Sequence, residues 1–502
     1  MTNKPKIQKT NSFLSWLFSG LASILLVIIM VRLPTDPDLG WHIRNGEDIL
    51  KYGVPQGDLY SHTMFGYPWI SHEWLTDVFL YLSEQYLGFI LLGVIFAVIA
   101  TASYLIAAST TKARLEIIVL TALTAGVIAM PFSGIRVQVI TWLGLALVSF
   151  LLWRWYEEPK KYSLYYLIPL MLIWVNLHGG FLIGLIFVGV FFVLALIKYW
   201  LVQYKKINLI GRVLSIGQIK HVFFVLLLML AVTFINPYTW RVYDEIIRTI
   251  FNDFVKDRIV EWLPVSLTSP LSKNLLIYTG WLMMLLPWTW RKIDPLKLGV
   301  IAIFFAFSLL SWRNLPFFPL IALPVLVEMI QNVFPQGFVT YLRQGWLLLG
   351  VGALIFYIGQ LRVGELTPYM QSAEAFQSYG KYPYQAIQYI KEHKLSGNLY
   401  NEYNWGGFLV WQLPEKKVFI DGRMAVWGDP EDNVFRDYLA VSNNTSRTVN
   451  ILDKYNVDLA LVFDDGKAKD FFMESDVWQE IFADDIAKLF ERAPTVSLQE
   501  EV

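Results

Sequence analysis

The chain has 502 residues, 55% of them hydrophobic and only 16% charged. Soluble domains carry roughly a quarter charged residues, so a purely soluble globular protein is excluded. The 41 Lys and Arg balance 41 Asp and Glu, which gives no basis for a nucleic-acid partner, and the absence of Cys rules out disulfides, thiolate metal sites and cysteine nucleophiles.

The first element is the apolar run from Phe13 to Met30, preceded by Lys4, Lys6 and Lys9. It is long for the apolar core of a signal peptide, and no small-residue cleavage site follows it. It reads as a retained transmembrane helix. Similar runs recur near 88–108, 116–132, 138–153, 163–176, 180–200, 222–236, 274–290, 297–311, 316–333 and 345–361. With 13–32, these make about eleven spans, most near the length that crosses ~30 Å of hydrocarbon. The expected fold is mainly α, a polytopic transmembrane helical bundle over 1–361, with a long outer loop at 33–87.

Lys and Arg in the short loops orient the bundle. The basic loops hold Lys4 to Lys9, Lys112 with Arg114, Arg154 with Lys160 and Lys161, then Lys205 to Lys220, then Arg291 to Lys297. Every second loop is basic, so the N-terminus is expected in the cytoplasm. An odd helix count then places 362–502 outside, as an extracytoplasmic α/β domain. In that tail, "YQAIQYIKEH" is helical in pattern, "GNLYNE" strand-like, and "KKVFIDGR" a short buried strand before a turn. "NILDKYNVDLALVF" runs from helix to strand, and "WQEIFADDIAKLFER" suggests a closing hairpin.

Polar residues collect in the outer loops of this topology. The first loop holds Asp36, Asp38, His42, His72 and Glu73; the second, Arg136 and Gln138; the third, Asn176 and His178. The fourth runs from Asn236 and Tyr238 to Glu261, and the fifth holds Arg313 and Asn314. Convergence of such side chains on one rim builds a membrane-enzyme site.

Simpler roles exist for each of them. Asp36-Pro37 has the form of a helix cap with Pro at the first helical position. Asp38 and His42 share a helix face at i, i+4. His72-Glu73 lacks the second His of a zinc helix. Trp41, Trp69 and Trp74 fit an interfacial belt, and Arg136 and Arg313 fit headgroup contacts. Gly179, Gly180, Gly406 and Gly407 fit close packing, and Asp421-Gly422 fits a turn. Taken jointly, carboxylates, cations and aromatic surface beside a bilayer suit transfer from a lipid phosphate carrier. A carboxylate accepts the acceptor's proton, and arginines offset charge on the phosphate leaving group.

The pattern D-x-D-x-x-W-H at Asp36 to His42 is followed by G-x-x-W-x-x-H-E-W at Gly66 to Trp74. "WVNLHGGFLIG", "NPYTWRVY", "EWLP", "WRNLPFF" and "NWGGFLVW…VFIDGR" continue it. Together these resemble a group of bacterial and archaeal membrane proteins within the glycosyltransferase-C (GT-C) superfamily, over most of the chain. The resemblance implies a polyprenyl-phosphate sugar donor and a glycan, lipid or protein acceptor at the extracytoplasmic face. It implies Asp38 or Asp36 as the general base, with Asp38 preferred and Asp36 positioning it or holding a divalent metal. The soluble tail, with Asp421 and Arg423, is then expected to help recognise the acceptor. The rival readings are a lipid-linked carrier transporter and a non-catalytic membrane assembly protein. A transporter usually carries ionisable groups at mid-bilayer, whereas here polarity sits at one rim.

Overall fold

The computed structural model describes residues 12–32, 36–334, 345–371, 381–429 and 431–493. Leu33 and the N-terminal lysines Lys4, Lys6 and Lys9 lie outside them. The chain divides into two compact units. The first comprises Met1–Leu33, Gly93–Trp240 and Lys256–Glu365; the second comprises Pro34–Leu92, Arg241–Val255 and Leu366–Val502.

The helices begin with α1 (Ser12–Met30), α2 (Leu39–Tyr52), α3 (Trp74–Ala108), α4 (Leu115–Ala129) and α5 (Gln138–Glu157). Then come α6 (Leu167–Leu177), α7 (Phe181–Gln203), α8 (Ile216–Val232), α9 (Val242–Phe251) and α10 (Asp253–Lys256). The last bundle helices are α11 (Ser272–Thr289), α12 (Pro295–Leu309), α13 (Phe317–Val333) and α14 (Gly345–Gln371). Each of the eleven expected spans overlaps one of these. Among the described residues, seven helices are long and apolar enough to cross a membrane, and Leu164–Leu177, Ile216–Val232 and Pro295–Leu309 are shorter apolar helices. The protein is a polytopic helical membrane protein. Helix α3 is kinked at Gly88 (φ 71°), which separates a polar first segment from the apolar span.

Within lipid the hydrophobic effect does not hold helices together, so small residues and close contact must. In the first unit the Trp174 indole lies against Gly144 of α5 and Gly184 of α7, where an added Cβ would come within 2.5 and 2.7 Å of the ring. Gly126 of α4 likewise receives Leu26 of α1. Helix α5 rises about 30 Å end to end, so its termini lie at opposite rims of this unit. At its C-terminal rim Arg154 donates to the Ser109 carbonyl (2.7 Å), and Lys112 pairs with Glu158. Nearby, Lys198 pairs with Asp294 (2.6 Å), while Lys297 reaches Glu157 and Glu328 (3.1 and 3.0 Å). Many of the basic loop residues read from the sequence therefore gather at one end of the unit.

The second unit contains α2, a four-stranded sheet and short helices. The sheet is ordered β1 (Asn398–Asn401), β2 (Val457–Phe463), β4 (Ala487–Arg492), β3 (Trp478–Ala483). Strand β1 is parallel to β2, and β4 is antiparallel to both of its neighbours. Around it lie α15 (Tyr384–Glu392), α16 (Gly406–Gln412), α17 (Val434–Ser442), α18 (Thr448–Lys454) and α19 (Lys467–Glu474). The helical, strand and hairpin patterns of the tail hold, with one difference. The "KKVFIDGR" segment does not enter the sheet; Val418 exchanges backbone hydrogen bonds with Tyr60 and His62 instead. The first loop thus supplies the partner that the buried segment would otherwise lack, which answers the requirement that buried backbone groups be paired.

Candidate active site

The opening motif is positioned by helix α2. The expected cap at Asp36 with Pro37 in the first turn is corrected: the helix starts at Leu39 and Asp38 is its N-terminal boundary residue. Asp38 makes no side-chain capping bond. One of its carboxylate oxygens accepts from the Trp41 indole N–H at 3.0 Å, and Asp36 Oδ1 accepts the Asp38 backbone N–H at 3.0 Å. Asp38 is therefore diverted from capping, and its side chain is half-buried. Burial and the neighbouring Asp36 charge raise its pKa to about 7, against the opposing pull of His42 and the Trp41 hydrogen bond.

One turn further on, His42 is buried and turned away from Asp38 toward two acids. Its Nδ1 lies 2.6 Å from Asp77 Oδ1 and its Nε2 lies 3.7 Å from Glu73 Oε2. Burial alone would push the imidazole down; Asp77, Glu73 and Asp38 outweigh it and lift the pKa to about 9. The second Asp77 oxygen is held by Asn45 Nδ2 (2.6 Å) and by the Ser71 hydroxyl (3.1 Å). His72 sits at the edge of this group, with Nε2 3.6 Å from Glu73 Oε1. The result is an imidazolium fixed between carboxylates one helical turn behind the Asp38 carboxylate.

The DGR turn of the tail closes on the same group. A Cβ on Gly422 would lie 1.9 Å from Asp38 Oδ1, so only glycine admits the carboxylate there. Arg423 is buried and bonds Asp421 through Nε (2.9 Å) and Nη2 (2.5 Å), with Asp58 Oδ1 2.9 Å from the same Nη2. Burial opposes its charge, and Asp421 with Asp58 more than compensate, so the guanidinium stays protonated. It is ringed by Trp69, Tyr60, Trp427 and Trp41, with ring centroids 4.5, 4.9, 5.2 and 5.8 Å away. Trp41 and Trp69 are thus buried around a cation, correcting the interfacial-belt reading for both. Asp421 does form the expected turn, accepting from the Arg423 N–H. On the far side, Glu245 of α9 feels His72, Arg248 and Arg423, although burial raises its pKa.

Two glycines set how closely α2 approaches the tail. A Cβ on Gly40 would stand 2.1 Å from the Gly407 carbonyl oxygen, and one on Gly407 would stand 2.2 Å from the Pro37 oxygen. Both obstacles are backbone atoms, which cannot rotate aside. Gly40→Ala is expected to cost about 1–3 kcal/mol through overpacking, seen as a lower thermal unfolding temperature in detergent. Gly189→Ala on α7, where nothing lies within 4 Å of the added methyl, should unfold at or above the wild-type temperature.

The remaining expected residues lie in the first unit. Arg136 Nη1 donates to Glu261 (2.8 Å), Gln138 approaches the other Glu261 oxygen (3.5 Å), and Arg313 lies over the Trp262 ring at 5.2 Å. Burial would raise the Glu261 pKa; Arg136 and Arg313 outweigh it and hold the group below its ordinary value. Arg136, Gln138, Glu261 and Arg313 thus form one cluster. His178 Nδ1 receives the Gly180 N–H (3.0 Å) and lies 2.5 Å from the Thr141 hydroxyl, which shapes the helix break. Asn176 donates to the Leu172 and Ile235 carbonyls, Asn236 accepts from the buried Tyr238 N–H, and Asn314 donates to the Phe307 carbonyl. These contacts tie down local backbone.

Asp58, Asp77 and Glu245 were not singled out in the sequence. For Asp77 a signal existed: it follows Glu73 by four residues at the start of α3, and a carboxylate that becomes buried there is costly without a partner. Among the described residues no group of three or more acids and histidines is arranged to hold a metal ion.

No family model and no curated protein matches the chain. Among solved structures, the crystal structure of ArnT from Cupriavidus metallidurans bound to undecaprenyl phosphate is similar at 13% identity, with a TM-score of 0.43. The match covers 97% of this chain and 99% of that one.

Proposed function

We propose that the protein is a membrane glycosyltransferase that moves a sugar from a polyprenyl-phosphate donor to an acceptor on the extracytoplasmic side, with Asp38 as general base. The observation that carries this reading is the Asp38 carboxylate. It is uncapped, half-buried, oriented by the Trp41 N–H and lifted to about 7, close to the pH at which a base works best. In the reaction Asp38 removes the acceptor's hydroxyl proton as that oxygen attacks the anomeric carbon. The bond from that carbon to the donor phosphate breaks, and the polyprenyl phosphate leaves with the electron pair. Asp36 raises the basicity of Asp38 and fixes its backbone. His42, locked by Asp77 and Glu73, supplies a fixed positive charge behind the base. The extracytoplasmic assignment rests on the alternation of basic loops.

The test is transfer from a polyprenyl-phosphate hexose by purified protein in proteoliposomes, followed as a function of pH. Asp38 must be ionised to accept a proton, so the rate should rise as pH passes about 7. It should fall above about 9, where His42 loses the charge that compensates Asp77 and Glu73. Asp36→Asn should move the rising limb to lower pH, because the Asp36 charge is part of what raises Asp38. A rate that is flat from acid to alkaline pH, or no consumption of any such donor, would overturn the reading.

A further inference from the structure

We propose that a second site, on the second unit and separate from Asp38, binds a phosphate-bearing ligand in a lysine-lined cavity. The cavity has a volume of about 560 Å³ and lies between the end of α15, the turn into β1 and the loop that precedes Val418. Its lining includes Lys391, Lys394, Lys416 and Lys417, together with His62 and Ser396. Glu415 is the carboxylate found in that lining among the described residues.

The local sequence explains why these lysines line one space. Helix α15 stops at Glu392, and the chain reverses through Lys394 (φ 50°) and Gly397 (φ 89°), both left-handed. This tight reversal sets Lys391 and Lys394 at one wall. The opposite wall is the "EKK" stretch, which leads into the segment paired with the first loop. Lys416 donates to the Gly397 carbonyl at 2.9 Å, which ties the walls together, and Lys417 Nζ is held over the Phe65 ring. His62 is anchored at the floor by its Nε2, 3.1 Å from the Leu399 carbonyl. Lys416 and Lys417 are therefore each held by a neighbour, while Lys391 is half-buried and Lys394 exposed.

Four like charges around one cavity repel each other, and the lower dielectric of a cleft strengthens the repulsion. Asp458 offsets part of it from behind, where its Oδ2 accepts the Asn398 N–H at 2.9 Å and its charge acts on His62 and Lys416. Glu415 in the lining offsets a further part, and four lysines against these two carboxylates leave the cavity with an excess of positive charge. A phosphate group, with up to two charges and several acceptor oxygens, matches ammonium donors that approach from two walls, with the Ser396 hydroxyl as a further donor. Two sources supply this chemistry: a soluble phosphorylated saccharide and an anionic lipid headgroup.

The experiment uses the full-length protein, the double variant Lys391→Gln/Lys394→Asn and Asp38→Asn. Asn at 394 tolerates the left-handed backbone there. Calorimetric titration with inorganic phosphate and with a hexose 1-phosphate, at constant ionic strength in detergent, tests the soluble source. Thermal unfolding in phosphatidylcholine nanodiscs with and without phosphatidylglycerol tests the headgroup. Saturable phosphate binding that weakens by about tenfold or more in the double variant supports a soluble phosphorylated ligand. Stabilisation by phosphatidylglycerol that is lost in the double variant supports a headgroup ligand. Asp38→Asn should bind as wild type does in either case, so the site stands or falls independently of the transferase reading. Absence of both effects in wild type, or equal effects in the double variant, overturns the proposal.

Discussion

Asp38→Asn lowers sugar turnover by about 10²–10⁴-fold, the usual contribution of a positioned general base, equivalent to roughly 3–5 kcal/mol of barrier. The substitution is a narrow one. An amide oxygen still accepts from the Trp41 N–H, as the carboxylate does at 3.0 Å, and the side chain keeps its shape against Gly422. What disappears is the ability to take up a proton. The loss should therefore fall on kcat at saturating donor, with little change in KM and with thermal unfolding close to wild type. Asp36→Asn should retain more activity, because Asp36 acts through Asp38 by its charge and its bond to the Asp38 backbone. Turnover near wild type in Asp38→Asn would remove the catalytic assignment. A variant that loses both activity and thermal stability would instead assign Asp38 a structural role.

Arg423→Met should produce the largest loss of stability, about 3–5 kcal/mol, because removing one partner of a buried ion pair strands the others. Asp421 and Asp58 are both fully buried, and each loses its cationic partner in that variant. Part of the aromatic ring around the guanidinium also loses its contact. Arg423→Lys should recover only a fraction. A single ammonium cannot reproduce the planar fork that bonds Asp421 twice and reaches Asp58 with the same Nη2. Thermal unfolding followed by tryptophan fluorescence reads this directly, since Trp41, Trp69 and Trp427 surround the group. An unfolding temperature for Arg423→Met within a degree or two of wild type would show that the cluster is not a stabilising element.

Both expectations rest on the same arrangement, in which a loop near the N-terminus and a turn near the C-terminus form one buried polar group. The first loop contributes Asp38, Asp58, Trp41, Tyr60 and Trp69, and the tail contributes Asp421, Gly422, Arg423 and Trp427. Asp421 and Arg423 pair within the tail, whereas Asp58 of the first loop takes its cation from Arg423 of the tail, so without the tail that buried carboxylate loses its ion-pair partner.

Several features follow from the sequence without the fold. Apolar length identifies the membrane helices, because hydrocarbon thickness sets a minimum run that is visible residue by residue. The helix–strand alternation of the tail is equally local, and so is the preference for acids and aromatics between Asp36 and Trp74. What tertiary structure alone decided is which charge meets which. His42 could have bonded Asp38 one turn away; instead Asp77, 35 positions on, takes it at 2.6 Å. The "VFID" segment has the composition of a sheet strand, yet it pairs with Tyr60 and His62 rather than with β1. Trp41 and Trp69 have the composition of a membrane belt, yet they enclose Arg423. Hydrophobic periodicity depends on near neighbours and can be read along the chain. The partner of a buried charge is set by whichever opposite charge the fold delivers within hydrogen-bond reach, and that has no signature at either position alone.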